Sequence, residues 1–363
     1  MNAMEAYVAL NALPRIGPVR IRRLLERFGS PQAVLAVRAE SLRGVEGMGP
    51  ETAAILLAWQ DHADPAAEIA DAQARGLTIL TEVCPAYPAP LRATYDAPVV
   101  LYVWGQLEEC DRHAVGVVGS RRTTHYGLQA ARKLSFQLAN AGLTVLSGLA
   151  RGIDTAAHEG ALAANGRTVA VLGSGLAKLY PPENLALAEK IADGRGAVVS
   201  EFPLQTPPDK QTFPMRNRIV AGWARGILVV ECAERSGAII TANLAAEYGK
   251  QIYAVPGPIT SPNSAGCHQL IRQGATLVTN GEDILEDYQT LSLTGTAAPP
   301  AAPPPELAGA EAEIFAALGT EAVAVDHLIE ATALPASAVS ITLMRLEMKG
   351  LVRQLPGFLY ARK

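Results

Sequence analysis

Between residues 114 and 288 the chain repeats one pattern: a short apolar run, a small-residue loop, then a longer stretch of helical periodicity. The runs fall at Val115–Val118, Thr144–Leu146, Val169–Leu172, Ala197–Val199, Ile227–Val230 and Ile252–Val255. Strands buried on both faces read as continuous apolar runs, and parallel strands need a helical crossover between them. The alternation therefore predicts a doubly wound α/β domain. In such a sheet the loops after the strands leave from one edge, and that edge is where these folds bind ligands.

Those loops are cationic. The first is Gly119-Ser120-Arg121-Arg122 and the second Ser147-Gly148-Leu149-Ala150-Arg151. The third is Gly173-Ser174-Gly175 with Lys178, the fourth carries Lys210 with Arg216 and Arg218, and the fifth is Arg235-Ser236-Gly237. Cations converging on one edge predict a site for a long, extended anion. Glycines at strand ends let backbone N–H groups approach phosphate oxygens, and helix N-termini add a favourable dipole. Aromatic rings lie among the cations: His125, Tyr126, Tyr180 and Phe213. Cations interleaved with aromatic faces suit single-stranded nucleic acid, whose bases are free to stack. The whole chain has a net charge of -4, so such binding must come from local clustering.

Other chemistries fit less well. The dinucleotide fingerprint G-x-G-x-x-G is missing from Gly116-Val117-Val118-Gly119-Ser120-Arg121, and the second strand ends Leu146-Ser147-Gly148 without a ribose-binding acid. Gly249-Lys250-Gln251 closes a helical stretch rather than opening one, which excludes a P-loop. Ser120 and Ser147 have no evident His–Asp partners. A nucleotide or nucleoside-phosphate hydrolase is the rival reading, with Asp154, Glu201 and Glu231 as its candidate acids, but its usual PGGxGT loop is absent. Each residue also has a purely structural reading. Asp154 precedes a helical run and reads as an N-cap, Arg216 and Arg218 would pair with Glu201 or Glu231, and Phe213 beside Pro214 would belong to the core.

The four cysteines, Cys84, Cys110, Cys232 and Cys267, form no CxxC pair and read as reduced thiols. His158 has no second ligand at metal spacing. No apolar run reaches the roughly 20 residues of a membrane span, and the N-terminus lacks a secretory pattern. We expect a cytoplasmic protein with no metal, no other cofactor and no membrane partner.

Eight blocks along this domain carry a family resemblance. They are GSRRTTHYG (119–127), SGLARGIDTAAHEGAL (147–162), GSGL with YPPEN (173–184) and SEFP (200–203), then FPMRNRIVAG (213–222), SGAIITANLAAEYGK (236–250), AVPGPI (254–259) and GCHQLIRQGA (266–275). The chain here resembles the DprA/Smf family of DNA-processing proteins. The resemblance implies an extended Rossmann-like domain that binds single-stranded DNA without a catalytic step. It implies a recombination mediator that protects incoming strands in natural transformation or DNA repair and helps load RecA recombinase. The implied partners are single-stranded DNA, RecA, single-strand-binding protein and a second copy of the chain. By position, Arg121, Lys210 and Phe213 would form the pocket, with Gly148, Gly173 and Ser236-Gly237 giving close backbone approach. The dimer surface would fall near Ala246, Leu270 and Ile271.

The flanks read differently. Residues 1–75 have helical periodicity, and Val45-Glu46-Gly47-Met48-Gly49-Pro50 resembles the turn of a SAM-like helix-hairpin-helix module. An earlier copy, Leu13-Pro14-Arg15-Ile16-Gly17-Pro18, lacks its first glycine. Arg15, Arg20, Arg22, Arg23 and Arg27 face one acid, Glu26, within this stretch, so we expect accessory DNA contact. The expected domains are 1–75 (helical), 76–290 (Rossmann-like), an Ala/Pro-rich linker at 291–305, and 306–363, which resembles a winged helix. In that last segment Pro335–Lys349 takes the recognition-helix position, but acids outnumber cations, so we expect it to contact protein or to bind DNA weakly.

Overall fold

The apolar runs do become strands, and the proline-rich region ahead of them adds two more. In chain order the strands are β1 (Thr78–Thr81), β2 (Val100–Gly105), β3 (Ala114–Val118), β4 (Thr144–Ser147), β5 (Thr168–Val171), β6 (Gly196–Ser200), β7 (Gly226–Val229), β8 (Gln251–Ala254) and β9 (Thr276–Leu277). They form a nine-stranded sheet of order β1-β2-β6-β5-β4-β3-β7-β8-β9. From β6 to β9 all neighbours are parallel, while β1 and β2 add an antiparallel edge with Tyr102 opposite Ser200. Sequence reading passed over β1 and β2 because Pro85, Pro88, Pro90 and Pro98 cluster there. The prolines lie between the two strands, where they interrupt no ladder.

The structure is a computed structural model that describes residues 1–288, 309–318, 323–332, 334–348, 351–355 and 359–362. The linker expected at 291–305 lies outside the described residues. Two compact units are resolved, Met1–Thr296 and Ala297–Lys363.

In the first unit the helices are α1 (Ala3–Ala12), α2 (Pro18–Phe28), α3 (Pro31–Leu35), α4 (Pro50–Leu57), α5 (Pro65–Ala74) and α6 (Ala89–Arg92) before the parallel strands. Then come α7 (His125–Asn140), α8 (Ile153–Ala163), α9 (Leu185–Ala192), α10 (Thr212–Trp223), α11 (Gly237–Glu247), α12 (Ala265–Arg272) and α13 (Glu282–Leu285). Local chemistry sets their starts. α2 and α4 each begin Gly-Pro, whose fixed φ and missing N–H suit the first helical position. Thr124 and Ser236 cap α7 and α11 with side-chain oxygens.

The N-terminal helices are not a separate bead. Tyr7, Leu10 and Leu24 share one buried cluster with Tyr102, Ala170 and Leu172 of the sheet. α10 lies against the sheet through Ile219, Val220 and Trp223, and the Trp223 Nε1 donates to the Asp111 carbonyl at 2.9 Å. The second unit contains α14 (Ala310–Ala317), α15 (Val325–Thr332), α16 (Ala336–Met348) and strands β10 (Val323–Ala324), β11 (Val352–Leu355) and β12 (Leu359–Arg362), in the order β10-β12-β11. Ile314, Leu328, Val339, Leu343 and Leu346 form its core.

Candidate nucleic-acid interface

After β3 the chain winds to one side through β4, β5 and β6, then returns to the other side with β7, β8 and β9. The switch point therefore lies between β3 and β7, and a crevice opens outside the carboxyl ends of such strands. Here it has a volume of about 610 Å³. Gly119, Ser120, Arg121 and Arg122 line it from the loop after β3. Lys210 enters from the β6–α10 connection, Phe213 and Arg216 from the start of α10, and Arg235, Ser236 and Gly237 from the loop after β7 and the start of α11.

Arg121 is exposed at the rim, with its guanidinium carbon 4.6 Å from the centre of the Phe213 ring. The ladder continues away from the crevice. Tyr180 packs tilted on Phe213 with centroids 5.9 Å apart, and Arg151 sits 5.6 Å from the Tyr180 centroid. Arg151 also pairs with Glu183. The result is cation, ring, ring, cation, with a small recess between Arg121, Arg151, Tyr180 and Phe213. Phe213 is half-buried, so it is neither a core residue nor a free one. Lys178 is exposed on a 3-10 turn, Leu176–Lys178, and does not line the crevice.

Most of the glycines serve the protein's own packing. A Cβ at Gly148 would overlap the Arg216 guanidinium, one at Gly119 would meet Ile153 and the Glu231 carbonyl, and one at Gly173 would lie 2.8 Å from Phe213 Cδ1. Gly237 differs. The nearest atom to a Cβ there is Asn217 Nδ2 at 3.9 Å, and the residue opens α11 with its amide end towards the crevice. Of the positions read as backbone approaches to phosphate, Gly237 is the one left with room.

Two cations read as ligand contacts are turned inward. Arg216 is 4% exposed and donates to the carbonyls of Gly148 and Val171. Burial lowers its pKa to about 10, and Asp154 opposes that shift. Arg218 pairs with Glu201 and donates to the Asp96 carbonyl at 2.6 Å; it is absent from the crevice lining. The partner acids, Glu201 and Asp96, are distant in sequence, so spacing alone could suggest this pairing but not decide it.

The candidate acids are also occupied. Glu231 is buried; its carboxylate accepts from the Thr124 amide at 2.8 Å, from Thr124 Oγ1 at 2.9 Å and from Thr123 Oγ1. It thereby ties the end of β7 to the start of α7. Asp154 is not the N-cap expected of it. Gly152 holds that position at a φ of 81°, and Asp154 lies in the first turn of α8. There its Oδ2 accepts from the Gly148 amide at 3.1 Å, folding the loop after β4 back onto the helix. Burial pushes the carboxyls of Asp154 and Glu201 above their ordinary range.

Sequence reasoning missed Asn217, Ile240 and Asn263, which also line the crevice. Asn263 Nδ2 donates to the Arg122 carbonyl at 3.1 Å and so joins the loop after β8 to the loop after β3. Tyr126 reaches the same loop, donating to the Pro256 carbonyl at 2.6 Å. At the residues implied for a dimer, Ala246 is exposed and Ile271 half-buried, but Leu270 is 5% exposed and packs in the central core.

The basic stretch of the N-terminal helices is largely neutralised from outside its own window. Arg15 pairs with Glu51, Arg22 with Glu82 and Arg23 with Glu46. Arg20 donates to the carbonyls of Gly47 and Arg15. Among the described residues no helix is long and apolar enough to cross a membrane, and no cluster of His, Cys, Asp and Glu could hold a metal.

Comparison with known proteins agrees with this layout. The family model described as DNA recombination-mediator protein A matches residues 78–289. A SAM-like helix-hairpin-helix tandem matches 8–61, so it includes the copy that lacks its first glycine, and a DprA winged helix domain matches 298–357. Protein Smf of Synechocystis sp. is 34% identical over 100% of both chains, and protein Smf of Escherichia coli is 43% identical over 75% of this chain and 74% of its own. Among solved structures, DNA processing protein A of Streptococcus pneumoniae is 35% identical with a TM-score of 0.61, covering 75% of this chain and 98% of its own. DNA processing protein A of Helicobacter pylori, described for its single-stranded DNA binding mode, is 27% identical with a TM-score of 0.53, covering 59% and 96%.

Proposed function

This chain belongs to the DprA/Smf family of DNA recombination-mediator proteins, and from that premise we propose that the crevice at the ends of β3 and β7 binds single-stranded DNA without chemical turnover. The observation that carries the reading is the Arg121 guanidinium stacked on the Phe213 ring at the rim of a crevice that Lys210 also lines. Cations there meet the phosphates, Phe213 offers a face to a base, and the open amide end of α11 at Gly237 takes a further phosphate oxygen. Duplex DNA has no free base faces, so single strands are preferred. In the cell the protein protects such strands during natural transformation or repair and helps load RecA, with single-strand-binding protein on the same strand. It acts as a homodimer in the cytoplasm, through a surface that includes Ala246 and Ile271.

The test is equilibrium binding of a fluorescent oligonucleotide, single- and double-stranded, across a salt series. Wild type should prefer the single strand, with a log–log salt slope of roughly −0.7 per phosphate contacted. Arg121→Ala and Lys210→Ala should each flatten that slope, while Phe213→Ala should weaken binding and leave the slope nearly unchanged. Equal affinity for duplex, or variants that bind like wild type, would move the site elsewhere.

One observation favours a second reading, a nucleotide hydrolase: Asp154 lines the crevice with a carboxyl whose pKa is raised. Against it, the carboxylate is engaged with the Gly148 amide. Turnover of labelled mononucleotides, abolished by Asp154→Asn, would establish it.

A further inference from the structure

Lys210 reaches the crevice on the connection between β6 and α10, and the N-terminal helices grip that connection from outside the sheet. Asn11 Nδ2, on α1, donates to the Glu201 carbonyl at 2.8 Å. On α5, Glu68 Oε1 accepts from the Leu204 amide at 2.7 Å, and the Asp71 carboxylate accepts from Gln205 Nε2 at 3.2 Å. Leu204 itself is fully buried in the cluster that joins the N-terminal helices to the sheet. From the sheet side, the amides of Gly175 and Ala177 donate to the carbonyls of Thr206 and Leu204 at 2.9 and 3.1 Å.

Beyond these anchors the chain is stiff. Pro207 and Pro208 follow, and each fixes its own φ near about −65°. The Asp209 amide then donates to Thr212 Oγ1 at 3.1 Å, and Thr212 Oγ1 reaches the Gly173 carbonyl at 2.5 Å. Lys210 therefore stands on a short arm pinned at Leu204–Gln205 and at Thr212, with two prolines in between.

We propose that Glu68 and Asp71 are positioning residues for Lys210, so that the N-terminal helices contribute to DNA binding through this loop rather than by contact with DNA. The proposal rests on the crevice being the DNA site. It also fits the state of Arg15, Arg22 and Arg23, which pair with Glu51, Glu82 and Glu46.

The experiment uses the full chain and two readouts, tryptic cleavage after Lys210 followed by mass spectrometry and affinity for a fluorescent single strand. Glu68→Ala leaves the Leu204 amide without its acceptor, and cleavage after Lys210 should speed up by about tenfold. The same change should weaken DNA binding by about three- to tenfold. Glu68→Gln keeps an acceptor oxygen and should match wild type in both. Asp71→Ala, a milder cut, should move both readouts the same way. In a Lys210→Ala background, Glu68→Ala should lower affinity no further. Charge alone predicts the opposite sign, because removing a carboxylate strengthens binding to a polyanion. Cleavage and affinity like wild type in Glu68→Ala, or equal effects of Ala and Gln, would overturn the proposal. If Lys210→Ala binds DNA like wild type, the crevice reading fails instead, and cleavage after Lys210 still decides whether α5 holds the loop.

Discussion

The Arg121 guanidinium lies over the Phe213 ring, 4.6 Å from its centroid, although Arg121 comes from the loop after β3 and Phe213 from the first turn of α10. The two side chains are in direct contact at the rim of the crevice. Their contributions to binding should therefore be coupled. In a double-mutant cycle on single-strand affinity, Arg121→Ala and Phe213→Ala together should cost less than the sum of the single changes, by about 1 kcal/mol. Strict additivity would mean that the stack plays no part in binding.

Gly173 makes the space that Phe213 occupies, since a Cβ there would lie 2.8 Å from Phe213 Cδ1 and 3.4 Å from its Cα. Gly173→Ala should destabilise the fold by about 1–3 kcal/mol and displace the ring. Denaturant unfolding and DNA titration check the two effects. Adding Phe213→Leu should recover stability but not affinity.

Glu231 joins β7 to α7 through Thr123 and Thr124. Glu231→Ala strands those donors and should cost about 3 kcal/mol, a fall in Tm of roughly 5 °C for a unit of this size. Calorimetry measures it. A catalytic carboxylate would behave in the reverse way, losing turnover while the melting temperature held.

His158 is fully buried on α8, and its Nδ1–H donates to Thr168 Oγ1 at 2.7 Å. Thr168 Oγ1 donates its own hydrogen to the Val145 carbonyl at 2.7 Å, which leaves it to accept from the imidazole. Burial, aided by the Arg216 charge, lowers its pKa from 6.5 to about 3. A depressed folded pKa means stability that is complete above 6.5 and lost as the pH falls towards 3. The slope approaches about 1.4 kcal/mol per pH unit for one proton. Asp154 and Glu201 act with opposite sign, since their raised pKa values favour the protonated fold in acid. Urea unfolding between pH 7 and pH 4 should therefore show a steeper acid loss in wild type than in His158→Gln, and that difference isolates the imidazole.

The parallel strands and the edge with the candidate crevice were legible because both depend on local pattern, apolar runs followed by small-residue loops. Arg121, Lys210 and Phe213 were set apart from the other cations and rings by the family resemblance. Arg216 and Arg218 did not declare their direction. They lie two apart on α10, and one ends among the carbonyls of β4's loop and β5 while the other meets Glu201. Only tertiary packing makes that choice. The N-terminal arginines are a related case, since their partners Glu46, Glu51 and Glu82 sit outside the basic stretch itself. The prolines hid β1 and β2, because a cluster between two strands looks like a cluster within a loop.

Gly237 offers a use of a different kind. It is solvent-exposed at the mouth of the crevice, and the nearest neighbour of a Cβ there would be Asn217 Nδ2 at 3.9 Å. A cysteine at that position could carry a fluorophore or a photocrosslinker into the crevice. Native Cys232 and Cys267 are buried and would compete little for the reagent, while Cys84 and Cys110 are partly exposed and would be replaced first. The missing side chain thus marks an attachment point from which occupancy of the crevice can be watched in real time.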